Sequence, residues 1–139
     1  MYSLMGIGRK DKVARVQAML QNYEFFGAPV GLIITVDRCV DKNGWGHVGC
    51  FVQNICLLAI ERGLGTCLQE AWADQHEVVR DVLGIPKNEV VWCGIALGYP
   101  DTSSPVNSLL SSREAVDHFS VFSGFRGGRS AKREAQAKL

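Results

Sequence analysis

The sequence has no stretch of about 18 consecutive apolar residues, so no membrane-spanning helix is expected. Its N-terminus, MYSLMGIGRKDK, shows neither a long apolar run nor a small-residue cleavage pattern. A secretory leader is therefore not expected, and the protein is expected to work in the cytoplasm. G-x-S-x-G, H-E-x-x-H and Walker-type sequences are all missing. That removes the usual signatures of serine hydrolases, zinc peptidases and phosphate-binding loops. The G-x-G patterns at Gly6 and Gly63 lack the third glycine and the strand–turn–helix surroundings of a dinucleotide fingerprint. Both read as turns.

Cysteine is present but unorganised. The five cysteines, Cys39, Cys50, Cys56, Cys67 and Cys93, are odd in number and never take C-x-x-C spacing. Four of them lie in or beside apolar runs, where a thiol behaves as a small hydrophobe, so buried reduced cysteines are expected. His47, His76 and His118 are scattered, and no metal centre is expected.

What remains is ordinary globular material: 139 residues, 47% hydrophobic and 21% charged, enough for one domain. Val13, Val16, Met19, Leu20 and Tyr23 follow helical spacing and predict a one-sided amphipathic helix over residues 11–22. Residues 30–36 (VGLIITV) and 90–97 (VVWCGIAL) predict buried strands, and residues 66–72 a shorter strand or extended segment. Residues 41–44 read as a loop. Over residues 48–62 the apolar side chains occupy almost the whole circumference of a predicted helix, which marks it for a core or an interface. Gly63 and Gly65 are expected to end that helix in left-handed conformations. Asp74, with Glu77 three residues on, predicts a capping box, and Gly84 before Pro86 the end of that helix. Gly98-Tyr99-Pro100 forces the second strand to exit into a loop.

The last residues, 126–139, carry five basic side chains against one acidic and leave the rest of the chain net negative. They are expected to form a flexible basic tail. A nucleic-acid contact through it is the least favoured function, because no aromatic residue lies beyond Phe125 to stack on bases.

Two stretches carry more: residues 22–29 (NYEFFGAP), and residues 90–101 (VVWCGIALGYPD) followed by Pro105-Val106-Asn107 and Ser112-Arg113. Together they resemble the C-terminal half of the nitroreductase family, over about residues 2–125. The resemblance implies an α+β fold with a small mixed β-sheet packed by helices, truncated at the N-terminus, and a domain spanning residues 1–125. It implies FMN as cofactor, a nicotinamide as electron donor, and nitro compounds, quinones or similar electron acceptors. It also implies a homodimer, in which Phe119, Phe122 and Phe125 are placed to reach the partner. The family's Arg-Arg-Ser-x-Arg motif, which grips the FMN phosphate, does not occur in this sequence.

Carried over by position, Leu68, Gln69 and Glu70 match a segment that lies over the flavin ring and offers main-chain groups near its N5. Ser111 and Arg113 match a basic pair, often Lys-x-Arg, that clamps the phosphate. Here one cation of that pair is a hydroxyl. Family chemistry runs through the flavin, so no catalytic nucleophile or acid–base pair is expected. The alternative to an FMN-dependent oxidoreductase is a cofactor-free dimeric remnant with a binding or structural role.

Overall fold

The computed structural model describes residues 1–124. The expected basic tail, and with it the nucleic-acid reading, lies outside the described residues, as does Phe125. The chain divides into two compact units, Met1–Ser108 and Leu109–Leu139.

In the first unit a 3₁₀ turn, Tyr2–Met5, leads to helix α1, Lys12–Leu20, which Asp11 starts by accepting a hydrogen bond from the Ala14 N–H. A second 3₁₀ segment, Gln21–Gly27, brings the chain to strand β1, Val30–Asp37. Helix α2, Lys42–Glu61, follows, then strand β2, Gly65–Gln69, and two short helices, α3 Ala71–Asp74 and α4 His76–Leu83. Strand β3, Glu89–Gly98, completes the sheet before a 3₁₀ turn at Pro105–Ser108. The second unit holds one short helix, α5, Val116–Phe119, among its described residues.

The sheet order is β1-β3-β2, with β3 antiparallel to both neighbours. The α+β class is as expected, but the described sheet is antiparallel throughout where a mixed one was expected. Its central strand is covered on both faces, which is why residues 90–97 read as an almost unbroken apolar run. Cys93 and Ile95 pack with Val52 of α2, with Leu32, Ile34, Ile55 and Cys56 around them. On the other face Gly94 lies beneath the Trp72 indole, which occupies the space a Cβ there would need. The register between β1 and β3 shifts between Ile34 and Thr35, so Trp92 is a bulged residue.

Several local expectations are corrected. Helix α2 begins six residues earlier than residue 48. Asp41 accepts hydrogen bonds from the Asn43 and Gly44 N–H groups, and this cap holds a first turn that its glycines had disguised as a loop. Gly63 is left-handed (φ 71°), as expected, whereas Gly65 is not and belongs to β2. The segment expected as extended to Trp72 turns helical at Ala71. Asp74 caps nothing, because it is the last residue of α3, and Gln75 precedes α4 without a side-chain cap bond. Gly84 does end α4 in the left-handed region (φ 65°). Only Cys93 of the five free cysteines is buried; Cys39, Cys50 and Cys67 are exposed and Cys56 half-buried.

Helix α2 is apolar all round, yet within this chain only Val52 and Ala59 are buried. Phe51, Leu57, Leu58 and Ile60 are more than half exposed. The sheet needs one stripe of the helix, and the remaining stripes face outward without a partner among the described residues.

Candidate functional site

Strand β2 is an edge strand. Among the described residues it pairs with β3 alone, which leaves its outer backbone N–H and C=O groups without a strand partner. Leu68 is 51% exposed and Glu70 is exposed, whereas Gln69 is almost wholly buried at 1%. The buried amide is fully used: its nitrogen donates to the Asn22 carbonyl at 3.0 Å, and its oxygen accepts from the Trp72 indole N–H at 3.3 Å. Gln69 thus ties the end of β2 to the 3₁₀ segment before β1.

An aromatic block completes that tie. Phe25 stacks on Trp72 with ring centres 4.7 Å apart, Tyr23 meets the same indole edge-on at 5.4 Å, and the Tyr23 hydroxyl donates to the Ala71 carbonyl at 3.3 Å. Residues 69–71, just where β2 gives way to α3, are therefore tied to a segment 47 or 48 residues earlier: the Gln69 side chain to the Asn22 carbonyl, and the Ala71 carbonyl to the Tyr23 side chain.

Beside this block, at the end of the sheet where β2 starts and β3 stops, lies a cleft of about 340 Å³. Phe26, Pro29, Thr66, Cys67, Tyr99 and Asp101 are among its lining residues. The two sequence stretches singled out above, residues 22–29 and 90–101, meet here. Gly98 allows this approach, since a Cβ at that position would lie 2.7 Å from Pro29 Cδ. Asp101 is held by its own loop: Oδ1 accepts from the Ser103 hydroxyl at 2.6 Å and the Ser103 N–H at 2.9 Å. These bonds hold its carboxyl below the usual carboxylate range. Cys67 is exposed at the strand edge, but loss of water around its sulfur pushes the thiol up, so it is a neutral thiol at neutral pH.

In the second unit Arg113 Nη1 donates to the Ser111 and Ser112 carbonyls, each at 3.2 Å, and to the Ser111 hydroxyl. The pair expected to act together is in contact. Nη2 and Nε of Arg113 have no hydrogen-bond partner among the described residues, which leaves three N–H donors of a permanent cation for an anion. Among the described residues no cluster of three or more His, Cys, Asp or Glu side chains is arranged to hold a metal.

A family model for the nitroreductase family matches residues 5–99. The chain belongs to the nitroreductase family. It is 40% identical over 124 residues to a 4-nitrobenzoate reductase of Pseudomonas putida, covering 89% of this chain and 55% of that protein. It is 41% identical over 118 residues to a nitrobenzene nitroreductase of Ectopseudomonas oleovorans, covering 85% and 52%. Among solved structures, the FMN- and NADPH-dependent nitroreductase NfnB of a Sphingopyxis strain superposes with a TM-score of 0.84 at 36% identity, over 89% of this chain and 56% of that one. The chain spans about half the length of the relatives it matches. FMN is the cofactor of this family's structural neighbours.

Within the first unit of this nitroreductase chain, β2 presents an open backbone edge and Leu68 an exposed apolar side chain; within the second, Arg113 directs Nη1 at Ser111 and Ser112. Sequence reasoning missed the buried amide of Gln69 and the cleft walls at Phe26, Thr66, Tyr99 and Asp101. The FFGAP and GYPD stretches were a signal for the cleft; nothing local signalled the burial of Gln69.

Proposed function

We propose that this nitroreductase chain forms the FMN-holding part of an NAD(P)H-dependent oxidoreductase that reduces nitroarenes, quinones or similar acceptors. The observation that carries the reading is the open edge of β2 ending in the pinned turn at residues 69–71, within a chain whose relatives are named for nitroarene reduction. When bound, the flavin supplies two-electron chemistry between a nicotinamide and the acceptor. Leu68, Gln69 and Glu70 are the ring-side candidates, acting through their main chain. Ser111 and Arg113 are the phosphate-side candidates. The protein's share is binding, orientation and exclusion of water; no side-chain nucleophile is assigned. A cytoplasmic location accords with five cysteines that are all free.

The same reading takes the chain to be a homodimer. Phe51, Leu57, Leu58 and Ile60 form an exposed apolar area on α2, and Phe119 and Phe122 are exposed in the second unit. Sedimentation is expected to show a dimer at micromolar concentration, and Ile60→Glu to lower its stability by at least tenfold in Kd. A stable wild-type monomer would refute the dimer.

The deciding experiment for the cofactor is the visible spectrum of the purified chain before and after addition of FMN. A bound, shifted flavin band is expected. Arg113→Ala is expected to weaken FMN binding more than tenfold and to leave riboflavin binding unchanged, because riboflavin has no phosphate; that corresponds to about 1.5 kcal/mol. The exposed stripe of α2 also favours a second reading, a dimeric binding or structural protein without cofactor. A chain that stays colourless with added FMN would establish it over the first.

A further inference from the structure

Phe25, Phe26 and Gly27 lie consecutively in the left-handed region, with φ of 50°, 52° and 74°. Two bulky residues in that region are strained, and such strain persists only where surrounding structure or function holds it. For Phe25 the compensation is visible, because its ring stacks on Trp72 and fills the space above Gly31. For Phe26 it is not. Its side chain is 48% exposed, meets no other ring among the described residues, and forms a wall of the cleft.

The rest of the cleft is equally specific. Tyr99 brings a second, largely exposed ring. Pro29 against Gly98 and Pro100 against Gly65 stiffen the rim, with a Cβ on Gly65 only 3.3 Å from the Pro100 ring. The Thr66 hydroxyl has no hydrogen-bond partner among the described residues. The Asn107 amide nitrogen is spent on the Asp101 carbonyl at 2.8 Å, which leaves its oxygen as an acceptor. Among the described residues, Asp101 is the only charged side chain in the lining.

We propose that this cleft is an aryl-binding subsite that accepts flat, uncharged nitroarenes and discriminates against nitroaryl carboxylates. The choice of nitroarenes rests on the function proposed above; the choice of charge rests on the cleft itself. An electron-poor nitroarene ring is complementary to the negative faces of Phe26 and Tyr99 in an offset stack. The free Thr66 hydroxyl is a donor for a nitro oxygen. A ligand carboxylate would meet the Asp101 carboxylate with no lining cation among the described residues to balance it.

The test uses the isotope-labelled chain without added flavin, titrated with nitrobenzene and with 4-nitrobenzoate and followed by amide NMR. Nitrobenzene is expected to shift the amides of Gly27, Gly65 and Gly98, which line the cleft, and to leave Gly84 unmoved. 4-Nitrobenzoate is expected to bind at least threefold more weakly, with the gap narrowing in high salt. Asp101→Asn keeps an oxygen for Ser103 and is expected to narrow it too. Phe26→Ala is expected to weaken nitrobenzene at least tenfold, and Phe26→Leu, which keeps apolar bulk without a ring, nearly as much. Equal affinity for the two compounds, or shifts confined to other glycines, would overturn the proposal. Nitrobenzene binding in the cleft of a chain that never takes up FMN would uphold this subsite and defeat the flavoenzyme reading. FMN uptake without nitrobenzene binding would do the reverse.

Discussion

The two ends of strand β3 are built on opposite rules. At its start the neighbouring chain is tied by hydrogen bonds: the Arg80 guanidinium donates to the carbonyls of Ile85, Pro86 and Glu89, and Arg38 Nε donates to the Lys87 carbonyl at 2.9 Å. Asn88 donates to Asp37 Oδ2 at 2.7 Å, which closes the same corner. At its finish, around Gly98, the walls are prolines, glycines and exposed rings, with a strained backbone and an unpartnered hydroxyl. Charged side chains that direct donors at the chain's own carbonyls make a structural corner. Rigid walls that leave polar and aromatic groups unspent make a place for something else.

The contrast is broken most severely at Arg80. Arg80→Ala removes the donors of three carbonyls at a half-buried site, and a loss of about 2–4 kcal/mol in urea unfolding is expected. Ligand binding at the Gly98 end should not change. If Arg80→Ala costs nothing, the corner is not held as described.

Gln69→Leu comes next. It leaves the Asn22 carbonyl and the Trp72 indole without their partners in a buried setting, and about 1–3 kcal/mol of stability should be lost. Tryptophan fluorescence in a background with Trp45 and Trp92 replaced by Phe reports the change at Trp72. An unchanged emission would show that the Gln69–Trp72 bond does not order the indole.

At the cleft, Phe26→Asn sharpens the comparison from the other side. Asparagine tolerates the left-handed region, so relief of backbone strain, about 1 kcal/mol, offsets the removal of a half-buried aromatic side chain. Thermal stability should remain close to that of the wild type while nitrobenzene binding falls. A large drop in stability would make Phe26 a packing residue.

The smallest effect is one of pH at the tied end. Hydrogen bonds from the Cys39 backbone N–H, then its side chain, then Asn88 hold the Asp37 carboxyl below its usual 3.8. A carboxyl lowered in the folded state stabilises the fold above 3.8, and that contribution is lost as pH falls through the lower folded value. Urea unfolding across about pH 2–6 should therefore show a steeper acid decline for the wild type than for Asp37→Asn. Parallel declines would show that Asp37 is not engaged.

Local pattern was enough where structure is local. The β-branched run of residues 30–36 and the apolar run of 90–97 marked two strands to within a residue or two of their observed ends. The FFGAP and GYPD stretches carried the family resemblance, but that they wall one cleft was not legible in them. Pattern failed where a distant partner decides. Glycines 44, 46 and 49 lower helix propensity, yet α2 runs through them because Asp41 caps it and its Val52 stripe has a sheet to cover. Gln69 reads as part of a segment over a flavin ring, and its own burial appears only when Asn22 and Trp72 close over it.

By itself, then, the sequence determined the α+β class, the family and the apolar character of α2, because periodicity, turn residues and motifs are properties of neighbours along the chain. Only the tertiary structure decided that the described sheet is antiparallel, that α2 keeps stripes that no described residue covers, and that Phe26, Thr66, Tyr99 and Asp101 share one cleft. Those outcomes depend on packing between residues tens of positions apart, and free energy of that kind is assigned by proximity in space, which sequence separation does not encode.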